Sequence, residues 1–400
     1  MGIGNGEQRR NPQTQMKFLK NINKLSGCKA AILTNQSAFG HLGKYHFQTY
    51  SEVFDLKTIF LPEHGLFAEL QDQVSGDELK YLFGDMQIVN LYGKEESSLV
   101  PPRESLNNVD VIIIDIKDVG SRYYTFLTTA YYILCEISRI KQETGKAPLF
   151  LVIDSPNPIG NKVEGTPLQK EFESFVGVNS VLHRHGLTPG GLLSYYNEAF
   201  QLKVDVIVVP VGVFHPKSIS SFEWVPPSPN IPTQNTCFVY PGMCLLEGTN
   251  LSEGRGTTKP FETFGAPYLV GKVKEELDKR MVSHQSGNYI LRNLRFLPTF
   301  HKYAGTICEG YQLMVLKPKQ FHSLYFVLYF LKQLLELFPT EFAYLKGVYE
   351  FRSDRPAIEL LAGDSILLDY LYGKRSDSEL EMYLKDSESR WTKLIKPFRY

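Results

Sequence analysis

Short apolar runs rich in β-branched residues alternate along the chain with longer stretches whose apolar positions recur every three or four residues. A run that is apolar at nearly every position suits a strand covered on both faces. Helical spacing suits a helix packed on such a sheet. Lys29 to Leu33 is read as a strand that ends at Thr34-Asn35-Gln36. Residues 45–55 follow as a helix and 56–61 as a second strand. Gln87 to Leu91 is a weaker strand, and Pro101 to Asn107 a short helix with proline at its start. Val109 to Ile116, VDVIIIDI, carries the strongest strand signal. Residues 124–141 place Phe126, Leu127, Ala130, Ile133, Leu134 and Ile137 at helical spacing. Leu149 to Ile153, a helix at 188–200 and a strand from Val204 to Val209 complete the alternation. It predicts an α/β fold with a doubly wound parallel sheet.

The pattern changes from 211 to 267, where Pro, Gly, Ser, Thr and Asn crowd together. So long an irregular stretch in a compact protein is more often functional than filler. Beyond 268 the order is a helix near 270–282, extended runs at 288–297 and 305–316, a long helix at 322–337, and shorter elements to the end. The expectation is a flexible segment over 1–20, a catalytic α/β domain over 21–267 and a smaller α+β auxiliary domain over 268–400.

In an open α/β sheet, ligands bind outside the carboxyl ends of the strands. That edge gathers Asn35, Glu63, His64, Asp118, Asp154 and Asn157. Asp and Asn there also serve as turn formers and helix caps. Turn-making requires neither Glu63 nor His64, so the tetrapeptide Pro62-Glu63-His64-Gly65 points to proton-transfer chemistry. Phe60, Leu66 and Phe67 flank Glu63, an apolar setting in which a carboxyl group stays protonated as a general acid. Arg122 and Tyr124, in IIIDIKDVGSRYYTF, offer a guanidinium fork and a hydroxyl to a substrate, or an internal Asp–Arg pair that fixes the loop. His183 and His185 form an HxH pair without a companion HxH or HExxH. His185 suits a substrate hydrogen bond or a structural role better than metal ligation, and no metal is assigned. NLSEGRGTTKP, around Arg255, has backbone amides able to cradle an anion but lacks the order of a phosphate loop. No GxGxxG follows the first strand, and no cofactor is implied.

Composition narrows the class. With 43 Lys plus Arg against 43 Asp plus Glu, the formal charge is zero, which argues against a nucleic-acid partner. The five cysteines form no CxxC and read as buried free thiols of a reducing compartment. No apolar run is long enough to span a bilayer. The polar start, MGIGNGEQRRNPQTQ, carries no secretory signal, so the chain as written reads as soluble and cytoplasmic. A periplasmic or extracellular location follows instead if a leader has been removed. Oligomeric state is not legible.

Motifs in order tie these features to a family. TNQSAFG, FLPEHGLF, DIKDVGSRYYTF, DSPNPIG, VEGTPL, SFVG, RHGLTPG, PSPNIPT, YPGMCLLEGTNLSEGRGTTKPFETFGAP and FLPTFHKYAGTICEGYQL follow one another. Together they resemble the NamZ-type exo-β-N-acetylmuramidases, also called the YbbC family, from about residue 28 to the C-terminus. The resemblance implies a Rossmann-like catalytic domain with a C-terminal auxiliary domain. It implies release of N-acetylmuramic acid (MurNAc) from the non-reducing end of peptidoglycan fragments, so peptidoglycan-derived saccharides are the expected partners. It places the catalytic glutamate at Glu63, with His64 and Asp118 orienting water, acid or sugar. Asn35, His64, Asp118, Arg122, Glu164, His185, Asn230, Glu247, Asn250 and Arg255 would line the sugar pocket, and the Tyr124 hydroxyl, read above as a substrate contact, is placed with them. The lactyl carboxylate that distinguishes MurNAc from N-acetylglucosamine (GlcNAc) calls for a cation, Arg122 or Arg255. The chain departs from the family pattern at Lys117, Ser155 and Ala68 and between 211 and 225. Relatives are often exported. Two rival classes remain: a metal-assisted hydrolase using His64, His185 and the aspartates, and a non-catalytic sugar-binding protein.

Overall fold

The run Val111–Asp115 becomes β4, a strand buried at every position and flanked on both sides. The computed structural model describes residues 24–40, 43–67, 83–214, 224–284 and 287–399. The expected flexible segment 1–20, Ala68 and most of the divergent stretch 211–225 lie outside them. β1 is Lys29–Thr34, β2 Asp55–Leu61, β3 Gln87–Asn90, β5 Leu149–Asp154 and β6 Val206–Pro210. They form one six-stranded sheet in the order β3-β2-β1-β4-β5-β6, every pair parallel. The order reverses between β1 and β4, so the crevice where such sheets bind ligands opens above those two strands.

Alternation within each strand divides the core. Ala30, Ile32, Val111 and Ile113 face one side, where they join Phe47 and Tyr50 of α1 (His46–Tyr50). Ala31, Leu33, Ile112 and Ile114 face the other, a larger core shared with the rest of the chain. That side carries α3 (Phe126–Thr144) and α4 (Pro189–Ala199); α2 (Glu104–Asn107) and α5 (Val211–Phe214) are single turns. α1 is shorter than expected because the chain turns at Ser51 to enter β2.

The second half is a smaller layer. α6 is Gln234–Met243, β7 Thr263–Ala266, α7 Gly271–Ser283, β8 Tyr289–Phe296 and β9 Cys308–Val315. α8 is Ser323–Leu337, α9 Ala357–Ala362, α10 Ser365–Leu371 and α11 Asp377–Leu394. The three strands form an antiparallel sheet in the order β7-β9-β8, and α6 packs on α8. The boundary expected at 267/268 falls between β7 and its partner strand β9. β7 lies before it yet pairs with β9, and the layer begins near residue 235. Nor is 211–267 irregular throughout. α6 forms there with Pro241 and Gly242 in its last turn, while Thr233 caps its start by accepting from the Thr236 amide. No helix among the described residues is long and apolar enough to cross a membrane.

Candidate active site

β2 delivers the turn Pro62–Gly65, closed by a 3.1 Å bond from the Gly65 amide to the Pro62 carbonyl. His64 takes φ 69°, a left-handed conformation uncommon for a side-chain-bearing residue and enriched at functional sites. The turn holds Glu63 over a cleft at the carboxyl edge of the sheet. Tyr123 to Phe126, at the start of α3, form one wall. Ser228, Asn230 and Ile231 form a second, and Tyr240, Glu247, Arg255 and Phe261 a third. Tyr349 and Glu350, from the second half, close the fourth side.

Glu63 is well held. The Thr125 hydroxyl donates to its Oε2 at 2.7 Å, and His64 Nε2 lies 3.9 Å from its Oε1. Thr125 immediately precedes α3, so the carboxyl group also meets the positive end of that helix. His64 Nδ1 is buried and meets no partner among the described residues. Arg255 Nη2 pairs with Glu247 at 2.7 Å, and its Nε lies 3.2 Å from Glu253. Burial opposes the Arg255 charge, but the two carboxylates outweigh it and raise its pKa. The Tyr349 hydroxyl donates to the other oxygen of Glu247 at 2.7 Å. Asn230 is buried at the wall with its Nδ2 unpartnered, a donor left for a ligand oxygen. Tyr124, Tyr240 and Phe261 supply aromatic edges, with Tyr240 and Phe261 centroids 4.8 Å apart.

Of the residues singled out in the sequence, Glu63, His64, Tyr124, Asn230, Glu247 and Arg255 line this one cleft. Six other expected residues do not line it. Asn35 stands behind the wall: its amide donates to the Pro227 carbonyl at 3.1 Å, beside a 2.7 Å bond from Gln36 to Pro226. The pair hangs the 226–231 loop over the cleft. Asp118 accepts from the Gly120 amide at 2.7 Å and from His185 Nε2 at 3.0 Å. His185 Nδ1 accepts from the Leu187 amide, which fixes the neutral tautomer. This buried pair shapes the loop beneath the cleft instead of facing a substrate.

Arg122 is placed elsewhere for a clear reason. Its guanidinium donates to the carbonyls of Val181 at 3.1 Å, Leu361 at 2.8 Å and Ala362 at 3.2 Å, and meets His183 Nε2 at 3.1 Å. Burial lowers its pKa. It ties the first half to α9 and leaves Arg255 as the arginine of the cleft. His183 is driven well below its usual range, by burial first and then by Arg122. Both nitrogens of each ring in the HxH pair are occupied by protein partners. Glu164 is wholly buried between Arg184 at 2.7 Å, Lys162 at 3.2 Å and the Ser323 amide at 2.8 Å. Burial would raise its pKa, but His322, Arg184 and Lys162 prevail and hold it at about 2. It anchors the start of α8. Asn250 spends its amide on Glu341, Tyr268 and Ala343. At the other strand end, Asp154 caps α4 through the Gly190 amide and the Thr188 hydroxyl.

Sequence reasoning missed Thr125, Ser228, Tyr349 and Glu350. Glu350 matters most. It is part-buried, accepts from the Tyr92 hydroxyl at 3.1 Å, and shares the cleft with Glu63 and Glu247. Burial, then Glu63 and Glu247, push its carboxyl group from 4.5 up to about 8. The only signal in the sequence is a charged residue between two aromatics in a loop, Tyr349-Glu350-Phe351.

The chain matches the family described as "Exo-beta-N-acetylmuramidase NamZ, N-terminal" over residues 30–235, and its C-terminal counterpart over 238–400. It is 37% identical over 332 residues to the peptidoglycan beta-N-acetylmuramidase NamZ of Bacillus subtilis (strain 168), covering 80% of this chain and 76% of that one. Two crystal structures of DUF1343 family proteins from Bacteroides fragilis NCTC 9343 share the fold over 96% of this chain and 97% of theirs. Their TM-scores are 0.76 and 0.66, at 21% and 23% identity. The chain belongs to the NamZ exo-β-N-acetylmuramidase family.

Proposed function

We infer that this protein is an exo-acting glycoside hydrolase that releases terminal MurNAc from peptidoglycan fragments, in the turnover of cell-wall material. One observation carries the reading at the site. One walled cleft holds both Glu63 and Arg255, the combination of proton-transfer group and cation that an anionic sugar requires. Family membership over both halves of the chain supports the same substrate class.

Within this reading Glu63 is a catalytic carboxyl group at the sugar's anomeric carbon. His64, 3.9 Å away, orients it. Arg255 meets the lactyl carboxylate. Its Nη1 is not engaged by any described residue, so a third anion can join without displacing Glu247 or Glu253. The unpartnered Asn230 amide donates to a hydroxyl or acetamido oxygen. Asp118 and His185 act through the loop they support.

The test is direct. The protein and its Glu63→Gln variant are incubated with a MurNAc β-glycoside and with the GlcNAc analogue. MurNAc release by the unmutated protein, with kcat lowered in the variant by about 10²- to 10⁴-fold, is expected. No release from either glycoside overturns the glycosidase reading and leaves a binding protein. Full activity in the variant removes Glu63 from the chemistry.

A further inference from the structure

Hydrolysis of a glycosidic bond ordinarily needs two carboxyl groups, one to give a proton and one to act as an anion. Glu63 supplies one. The second half of the chain presents another through an unusual turn. Tyr349 and Arg352 exchange both backbone hydrogen bonds at 2.9 Å, so Glu350 and Phe351 are the two central residues of a hairpin. Both have positive φ, 45° and 67°. That is the signature of a type I′ turn, whose usual residues are Asn and Gly. Side chains at such positions strain the backbone, and strain of this kind clusters at functional sites.

Both side chains are used. Phe351 packs on Tyr92 and Phe175 of the first half, with centroids 5.6 and 6.2 Å away. Arg352 donates to the Glu173 carbonyl. These contacts seat the hairpin on the first half and turn Glu350 into the cleft that holds Glu63. The surroundings of the two carboxyl groups differ. Glu63 has the Thr125 hydroxyl as a donor, the His64 imidazole 3.9 Å away and the N-terminus of α3 beside it. Glu350 faces burial and the carboxylates of Glu63 and Glu247; the Tyr92 phenol and the Arg255 guanidinium oppose them but do not prevail, so the arrangement favours a neutral acid. A neutral Glu350 also removes one repulsion from the path of an anionic sugar.

We propose that Glu350 is the second catalytic residue of the cleft, the general acid that protonates the leaving glycosidic oxygen while Glu63 is its anionic partner. The inference rests on the glycosidase reading above and deepens it. It gives Glu63 the anion's duty in place of the acid's duty that its apolar neighbours suggest. The Glu350 proton passes to the glycosidic oxygen as the bond from that oxygen to C1 breaks. The bonding electron pair stays on the oxygen, which leaves as an alcohol. Water forms the new bond to C1, and its proton goes to Glu63. The carboxyl pair ends with one proton, as it began.

Two measurements test this on the full chain with Glu350→Gln, Glu350→Asp and Glu63→Gln. The first is an infrared titration without substrate. A protonated-carboxyl band persisting toward pH 8 in the unmutated protein and lost in Glu350→Gln is expected. Absence of that band near neutrality, or its survival in Glu350→Gln, overturns the assignment of the proton. The second compares a MurNAc β-glycoside of an acidic phenol with a MurNAc–GlcNAc disaccharide. Glu350→Gln is expected to lose about 10²-fold or more in kcat on the disaccharide and far less on the phenol, whose departure needs no acid. Glu63→Gln loses both, and Glu350→Asp recovers part of the disaccharide activity. Equal losses on the two substrates in a folded Glu350→Gln overturn the acid role. An unmutated protein inactive on both substrates overturns the glycosidase reading and the acid role with it, while the titration still decides where the proton resides.

Discussion

Replacing Glu350 by Gln should make the protein more stable as it makes it less active. The substitution keeps an oxygen to accept from Tyr92 and removes only the ability to ionise. In the folded protein the carboxyl group is raised from 4.5 to about 8. The fold thus binds this proton more tightly than the unfolded chain does. The resulting stabilisation is fully present below about pH 4.5, erodes as pH rises, and is gone once pH passes about 8. At pH 7 about 2.5 units have been crossed, which at 1.36 kcal/mol per unit is about 3 kcal/mol. Solvent at the cleft mouth screens part of this, leaving about 2 kcal/mol. Glutamine has no such loss. For a chain of 400 residues unfolding with about 0.8 kcal/mol/K of entropy, the gain corresponds to about 2–3 °C in Tm. Calorimetry of both proteins near pH 5, near neutrality and near pH 8, without ligand, reads it. The gap between variant and parent should be small near pH 5 and widen with pH. A gap that does not change with pH, or a parent that is the more stable near pH 8, would refute the reasoning.

The cleft and its supports give further expectations. Arg255→Gln removes the cation proposed to meet the lactyl group. A charged hydrogen bond is worth about 1.5–3 kcal/mol, so the preference for MurNAc over GlcNAc glycosides in kcat/KM should fall by about 10- to 150-fold. Glu164→Gln strands Arg184 in a buried site and should cost about 3–5 kcal/mol in denaturant melts near neutrality. Because Glu164 is held at about 2, its stabilisation is present above about pH 4.5 and lost as pH falls toward 2, so the parent should weaken with acid more than the variant does. Arg122→Lys replaces a fork that reaches several carbonyls with a single ammonium group, and should lower Tm in a thermal melt.

What the sequence made legible follows from where the information is local. VDVIIIDI is apolar throughout because β4 is covered on both faces, so its strand, its centrality and the parallel sheet could be read directly. Glu63 and His64 were legible because β2 ends at Leu61 and neither residue is a turn former. Arg122, Asp118 and Glu164 were misplaced because a guanidinium or carboxylate looks the same in sequence whether it meets a ligand or a buried carbonyl. Only the fold shows that Leu361 and Ala362 lie over Arg122. Glu350 was out of reach because its meaning comes from residues about 290 positions away and from a turn whose residues give no turn signal.

The same facts explain why so many polar motif residues lie off the cleft. A proton held at Glu350 depends on how close its hairpin sits to Glu63 and Glu247. The hairpin belongs to the second half, while Glu63 rides on β2 of the first. Their spacing is set by whatever fixes one half on the other. Arg122 does so at α9, a few residues beyond the hairpin, and Glu164 does so at the start of α8. A small slip at either strut would separate the carboxyl groups, weaken the repulsion that keeps Glu350 protonated, and shift the alkaline limb of activity to lower pH. Arg122→Lys should therefore move that limb as well as Tm. A lowered Tm with an unmoved pH profile would mean that the hairpin is seated by Phe351 and Arg352 alone.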